Sequence, residues 1–184
     1  CGSGTIPIEA AMYAYNIAPN INREHFGFMN WKDFDKATWQ KVWQGAKDKE
    51  TSFQHKIKGF DIAPRAIRIA KKNMIDAGLQ GKVSFEVRDF EELVPPEGKG
   101  ILVMNPPYGE RIDRRDINSF YEMIGDRFKQ HFEGYQAFII SGNIDAMKNV
   151  GLKTQFRMHL NNGGLKSKFH KYEIYKGSKK NEMF

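Results

Sequence analysis

The sequence predicts an α/β fold: a doubly wound, Rossmann-like sheet closed by an antiparallel hairpin. Three observations predict it. Short apolar runs alternate with longer amphipathic stretches along most of the 184 residues, as parallel strands and crossover helices do. A glycine loop, CGSG, feeds straight into a helix at the first residues, as ligand-binding loops do in open α/β sheets. The final third holds two strand-like runs joined across a glycine-containing loop, the pattern of a hairpin rather than another crossover.

Each element follows from a local signal. TIPIEAAMYAYNIA (5–18) reads as a helix with Pro7 near its first turn, ending before Pro19. NINREHFGFMNW (20–31) is loop-like, and DKATWQKVWQGAKDKETSF (35–53) reads as a polar helix with Trp39, Val42 and Trp43 on its apolar side. KIKGFDI (56–62) is a short strand. APRAIRIAKKNMIDAG (63–78) is an amphipathic helix, with Pro64 at its start, Ile67, Ala70, Met74 and Ala77 on one face and Gly78 as its stop. KVSFEVRDF (82–90) alternates like a strand, and the continuous apolar run in GILVMNPP (100–107) suits a buried parallel strand. RDINSFYEMIGDRFKQHF (115–132) is helical, YQAFIISGN (135–143) is a strand and NIDAMKNVG (143–151) a short helix; the hairpin follows. These elements form one domain over 1–184 with a helical insertion at about 18–55. The strand that ordinarily precedes such a glycine loop does not appear, so the first strand is expected upstream of Cys1 in a longer polypeptide.

Composition narrows the function classes. A net charge of +7 points to a polyanionic partner. Cys1 is the only cysteine, which excludes an intrachain disulfide or a cysteine-rich zinc site and fits a reducing, cytoplasmic setting. The five histidines lie apart without metal-ligand spacing, so no metal is expected. No apolar run approaches the length of a membrane-spanning helix.

Candidate site residues collect at the carboxyl ends of predicted strands, where ligands bind in such sheets. Gly2 and Gly4 allow close backbone approach to a ligand. Asp61 ends KIKGFD, where a carboxylate can accept from both hydroxyls of a ribose; it equally suits a cap for the helix beginning near Pro64. Asp89 ends the next strand, near enough to receive an adenine amine, with Phe90 beside it. NPPY (Asn105, Pro106, Pro107, Tyr108) follows the buried strand. Two successive prolines fix the backbone and remove two donors, leaving carbonyl oxygens. Asn105 Oδ1 and the Pro106 carbonyl can then grip both protons of one exocyclic amine. That favours a pyramidal nitrogen and stabilises the positive charge that develops when it attacks. Tyr108 offers a face on which a base can stack.

With these residues in place the chain resembles the class I S-adenosylmethionine-dependent methyltransferases. More narrowly, it resembles the THUMP-associated methylases that modify the exocyclic N2 of guanine in RNA, the bacterial large-subunit ribosomal RNA enzymes most of all. CGSGT, NIAPNINREHFGFMNW, GFDIAPRAI and NPPYGER match in order and span essentially the whole chain. The resemblance implies that Cys1, Gly2, Ser3, Gly4 and Thr5 hold the methionine and ribose portion of S-adenosylmethionine. By the same carry-over Asp61 and Ile62 lie at the ribose, Asp89 and Phe90 at the adenine, and Asn105, Pro106, Pro107 and Tyr108 at the transfer site, Asn105 also touching the cofactor. It implies an RNA substrate, ribosomal RNA above all, an upstream THUMP domain in the same polypeptide and no membrane partner.

The insertion interleaves Arg23, His25, Phe26, Phe28, Trp31, Lys32 and Trp39, a mixture that suits a flipped or single-stranded nucleotide. Arg23 and His25 are the substrate-side candidates there. Arg111, Arg114 and Arg115 after NPPY are candidates for phosphate, although a solvated charge run has the same composition. Two rivals carry the same motifs: an N6-adenine DNA methyltransferase, since NPPY also serves adenine amines, and a catalytically silent RNA-binding module on the same fold.

Overall fold

The computed structural model describes residues 1–107, 114–162 and 164–176. They fall into two compact units, Cys1–Asp89 and Phe90–Phe184, each with its own core and its own sheet.

The first unit contains α1 (Thr5–Ala14), a 3-10 turn (Gly27–Asn30), α2 (Lys36–Lys47), β1 (Ile57–Asp61), α3 (Pro64–Asp76) and β2 (Val83–Val87). β1 and β2 pair in parallel from Ile57↔Val83 to Asp61↔Val87, with α3 as the crossover. α3 starts on Pro64, whose missing N–H costs nothing in the first turn. It stops at Gly78, whose φ of +70° suits glycine. Its Ile67 and Ala70 join Ile8 and Ala11 of α1 and Val83 and Phe85 of β2 in one buried cluster. Gly59 makes that packing possible. A Cβ there would stand 2.6 Å from the Phe85 ring and 3.1 Å from Pro7 Cγ, so only a bare backbone lets ring and helix close over β1.

α1 ends four residues earlier than the sequence predicts. Asn16 takes a left-handed φ of +52°, which asparagine tolerates, and its side-chain Nδ2 donates to Lys49 O at 2.7 Å. That hydrogen bond ties the start of the insertion to its end, as does the Thr51 amide donating to Tyr15 O at 2.8 Å. α2 is also shorter than its predicted run. It is capped by Asp35, which accepts from Ala37 N at 2.9 Å and Thr38 Oγ1 at 2.7 Å, and it buries none of its residues fully.

The second unit contains β3 (Ile101–Met104), α4 (Arg114–His131), β4 (Gln136–Ser141), a 3-10 turn (Ala146–Val150) in place of the short helix that the sequence predicts, β5 (Phe156–Asn162) and β6 (Leu165–Glu173). The strand order is β3-β4-β6-β5, with β3 and β4 parallel and β6 antiparallel to both its neighbours. This is the closing hairpin that the sequence predicts. Ile117, Tyr121, Ile124 and Phe128 recur along one face of α4 and are buried, as are Ala137 and Ile139 of β4 and Tyr172 of β6. β3 departs from the expectation of a buried strand: Ile101 and Val103 are 72% and 44% exposed. The reason is its position, since β3 hydrogen-bonds to β4 alone and β1 to β2 alone among the described residues.

Candidate active site

In the first unit the glycine loop is a closed turn. The Gly4 amide donates to Cys1 O at 3.0 Å, with Gly2 and Gly4 at φ +57° and +84°. Two side chains hold it from outside. Asp61 Oδ2 accepts from the Gly2 amide at 2.8 Å and lies 2.9 Å from the Cys1 nitrogen, which also donates to Phe60 O at 2.7 Å. Asn73 of α3 donates to Ser3 O at 2.9 Å, and the Ser3 and Thr5 hydroxyls lie 3.2 Å apart. Asp61 Oδ1 takes the Ala63 amide at 2.9 Å. Asp61 thus ties down the loop and holds the turn ahead of α3, whose N-cap residue is Ala63 and carries no side-chain cap.

Burial pushes the Asp61 carboxyl up, but hydrogen bonds, the Ala63 and Gly2 amides foremost, hold its pKa below the usual carboxylate value. Three of a carboxylate's roughly four acceptor sites are used, and the side chain remains partly exposed. Around the loop there is room for a ligand: nothing stands within 4 Å of where a Cβ of Gly2 would be, and Ile62 beside Asp61 is 66% exposed. These residues fit the cofactor that the sequence implies. Asp89 follows β2.

The second unit carries the other candidates. Asn105 and Pro107 are exposed and Pro106 is buried, directly after β3. Tyr121, fully buried on α4, reaches this loop from below. Its hydroxyl lies 2.6 Å from Ser141 Oγ and donates to Pro107 O at 3.5 Å, while Ser141 Oγ also accepts from the Asn143 amide at 2.9 Å. The prolines remove the loop's own donors, so a side chain supplies one. Phe90 stacks on Phe132 at 5.8 Å and meets Phe128 edge-on at 6.0 Å; its ring belongs to the aromatic core around α4. Tyr108 and Arg111 lie outside the described residues.

In the insertion, Arg23 folds back on its own loop. Its Nε donates to His25 O at 2.7 Å and its guanidinium lies 5.0 Å from the Phe26 ring centre. Both Arg23 and His25 are exposed. Trp39 packs edge-on against Phe26 and Phe28, and Trp43 Nε1 donates to Ile21 O at 2.9 Å, so these two tryptophans build the insertion.

Sequence reasoning missed Asn73, Tyr121 and Ser141. Asn73 had a signal, a polar residue three positions after Ala70 on the buried face of an amphipathic helix. Tyr121 and Ser141 had none, because each sits at an ordinary core position and meets its partner only after folding. Among the described residues no cluster of His, Cys, Asp or Glu could hold a metal ion, and no helix is long and apolar enough to cross a membrane.

The family model described as "RMKL-like, methyltransferase domain" matches residues 1–171. A Synechocystis protein named "Putative RNA methyltransferase slr0064" is 41% identical over 95% of this chain and 46% of its own length. The ribosomal RNA large subunit methyltransferase K/L of Shewanella frigidimarina is 36% identical over 100% of this chain and 26% of its own. Among solved structures, SMU.472, crystallised in complex with SAH, superposes with a TM-score of 0.89 at 33% identity, covering 97% of this chain and 47% of that one. A Listeria monocytogenes protein named "predicted N6-adenine-specific DNA methylase" gives 0.84 at 31% identity, covering 95% and 45%. The chain therefore spans about half the length of some relatives and about a quarter of others.

Proposed function

From the premise that the chain belongs to the RMKL-like methyltransferase family, we propose that it transfers a methyl group from S-adenosylmethionine to the exocyclic N2 amine of a guanine in large-subunit ribosomal RNA. The observation that carries this reading is the Asn105–Pro107 loop at the carboxyl end of β3, with Asn105 and Pro107 exposed, Pro106 buried and the Pro107 carbonyl met by the Tyr121 hydroxyl. The name of the K/L relative supports ribosomal RNA as the substrate class. An upstream THUMP domain in the same polypeptide and a cytoplasmic location belong to the same proposal.

In this reading the Cys1–Thr5 loop, Asp61, Ile62 and Asp89 hold the cofactor, which supplies an electrophilic methyl group when bound. The chain's own task is to make a poor nucleophile attack. A nucleobase amine has its lone pair delocalised into the ring. Asn105 Oδ1 and the Pro106 carbonyl accept its two protons, draw the nitrogen out of the ring plane and stabilise the charge that grows on it. The released proton passes to water. Tyr108 provides the stacking face, and Arg23, His25 and Arg111 bind the RNA. The rate comes from positioning and polarisation.

Asn105→Ala in the full-length protein should lower single-turnover methylation on the order of 10² or more, the scale of losing one donor to a developing charge, with cofactor affinity nearly unchanged. A wild-type rate would remove Asn105 from the chemistry. The second reading, adenine N6 methylation of DNA, is favoured by the name of the Listeria neighbour. Digestion of methylated products to nucleosides separates the two: N2-methylguanosine from RNA supports the proposal, and N6-methyladenine from DNA alone overturns it.

A further inference from the structure

Much of the chain's net positive charge sits in and around one hairpin. Residues 151–176 contain six lysines and arginines against a single carboxylate, Glu173. Strand register sorts them. Arg157, His159 and Asn161 of β5 stand directly opposite His170, Lys168 and Lys166 of β6. Side chains alternate across a strand, so these six share one face of the hairpin. Phe156, Met158, Phe169 and Lys171 occupy the other, and Lys171 lies 3.9 Å from Glu173 there. On the basic face no carboxylate among the described residues comes within ion-pairing distance of Arg157, Lys166 or Lys168. Arg157 Nε donates to the neutral Thr154 hydroxyl, at 2.6 Å. Arg157, His159 and Lys166 are exposed.

The like charges are close enough to act on one another. Burial, reinforced by Arg157, Lys168 and His159, holds the His170 imidazole below its ordinary pKa. Its Nε2 is buried without a partner, while Nδ1 meets the Tyr172 hydroxyl at 3.2 Å. Cations gathered on one face with no carboxylate against them among the described residues present a site for an anion.

The place of this face in the sheet relates it to the Asn105–Pro107 loop. β4 ends at Ser141, which pairs with Lys168. From Lys168 back to Leu165 on β6, and on to Asn162 of β5, the hairpin runs past the carboxyl end of β4. β3 lies parallel to β4, and the Asn105–Pro107 loop leaves that same end. A continuous path joins the two features: Pro107 O to the Tyr121 hydroxyl, Tyr121 to Ser141, and Ser141 to Lys168 in the ladder. We propose that the basic face of the β5–β6 hairpin, carried by Arg157, Lys166 and Lys168, binds the phosphate backbone of the RNA whose base enters at the Asn105–Pro107 loop. The identity of the polyanion rests on the methyl-transfer reading; the cation face stands on the register and on the absence, among the described residues, of a carboxylate within ion-pairing distance.

Lys166→Gln/Lys168→Gln in the full-length protein tests this by fluorescence anisotropy with a fluorescein-labelled stem-loop of large-subunit ribosomal RNA. Binding should weaken roughly tenfold at physiological salt, and the slope of log affinity against log salt should fall by about 0.7–0.9 for each phosphate left unneutralised. Lys166→Arg/Lys168→Arg should restore both, and S-adenosylmethionine affinity should not move. Unchanged RNA affinity and slope would overturn the proposal, and so would weakening confined to phosphatidylserine vesicles or acidic peptides. If the wild type yields no N2-methylguanosine while RNA binding weakens as stated, the hairpin surface stands and the guanine reading falls.

Discussion

At Asp61 one oxygen takes the Gly2 amide and the Cys1 nitrogen while the other takes the Ala63 amide, so one side chain both closes the glycine loop and holds the turn ahead of α3. Two consequences can be separated by experiment. The carboxylate is stabilised in the folded state, so its contribution is present above the unfolded value of 3.8 and is lost as pH falls through the depressed folded value. Asp61→Ala in the full-length protein removes that contribution and also the ribose acceptor proposed for the cofactor. S-adenosylmethionine binding should weaken by roughly 1–3 kcal/mol, the cost of losing charge-assisted hydrogen bonds, and the thermal midpoint should fall. Calorimetry beside a melting curve checks it. A lower midpoint with an unchanged dissociation constant would make Asp61 a loop anchor alone.

Helices and strands were legible wherever the signal was local. Pro64 and Gly78 bracket α3, and the hairpin strands occupy the segments read as such. What stayed hidden depends on pairs distant in sequence. Asn16 ends α1 because its side-chain amide finds Lys49 O, thirty-three residues on, and Tyr121 braces Pro107 and Ser141 from positions fourteen and twenty residues away. Asn105, Pro106, Asp61 and the glycines were legible as site candidates since their chemistry is carried by residue type. Gly125 shows how tertiary packing reverses a local rule. In an exposed helix interior, glycine to alanine gains about 1 kcal/mol. On α4 a Cβ at Gly125 would collide with the backbone carbonyl of Val150, which ends the second 3-10 turn. Backbone cannot step aside as a flexible side chain can, so Gly125→Ala should destabilise the protein by about 1–3 kcal/mol, the range for overpacking. Chemical denaturation of the two proteins measures it, and a gain in stability would show that the 3-10 turn does not rest on α4.

At the scale of the molecule, hydrogen bonding along the strands is the limiting term. β1 pairs with β2 and β3 with β4, and each of β1 and β3 has an opposite edge with no strand against it among the described residues. On β1 that edge is met only near its end, where the Cys1 nitrogen reaches Phe60 O. On β3, Ile101 and Val103 are exposed as well. An exposed strand edge with apolar side chains is a template for pairing with another chain. Edge groups that water reaches carry no such burial penalty, but they add no ladder hydrogen bonds to a total stability of roughly 5–15 kcal/mol for a domain. We therefore expect a polypeptide of residues 1–184, made by itself, to be marginal. Its β1 and β3 amides should exchange with deuterium far faster than those of β6, which is paired on both sides by β4 and β5. It should self-associate as concentration rises, and it should bind S-adenosylmethionine weakly, because β1 carries Asp61 and through it the glycine loop. Hydrogen exchange read by mass spectrometry, with sedimentation and calorimetry on the same sample, decides the matter. Slow exchange in β1 and β3, a monomer at high concentration and micromolar cofactor affinity would together show that both bare edges are tolerated and that the two small sheets are sufficient as they stand.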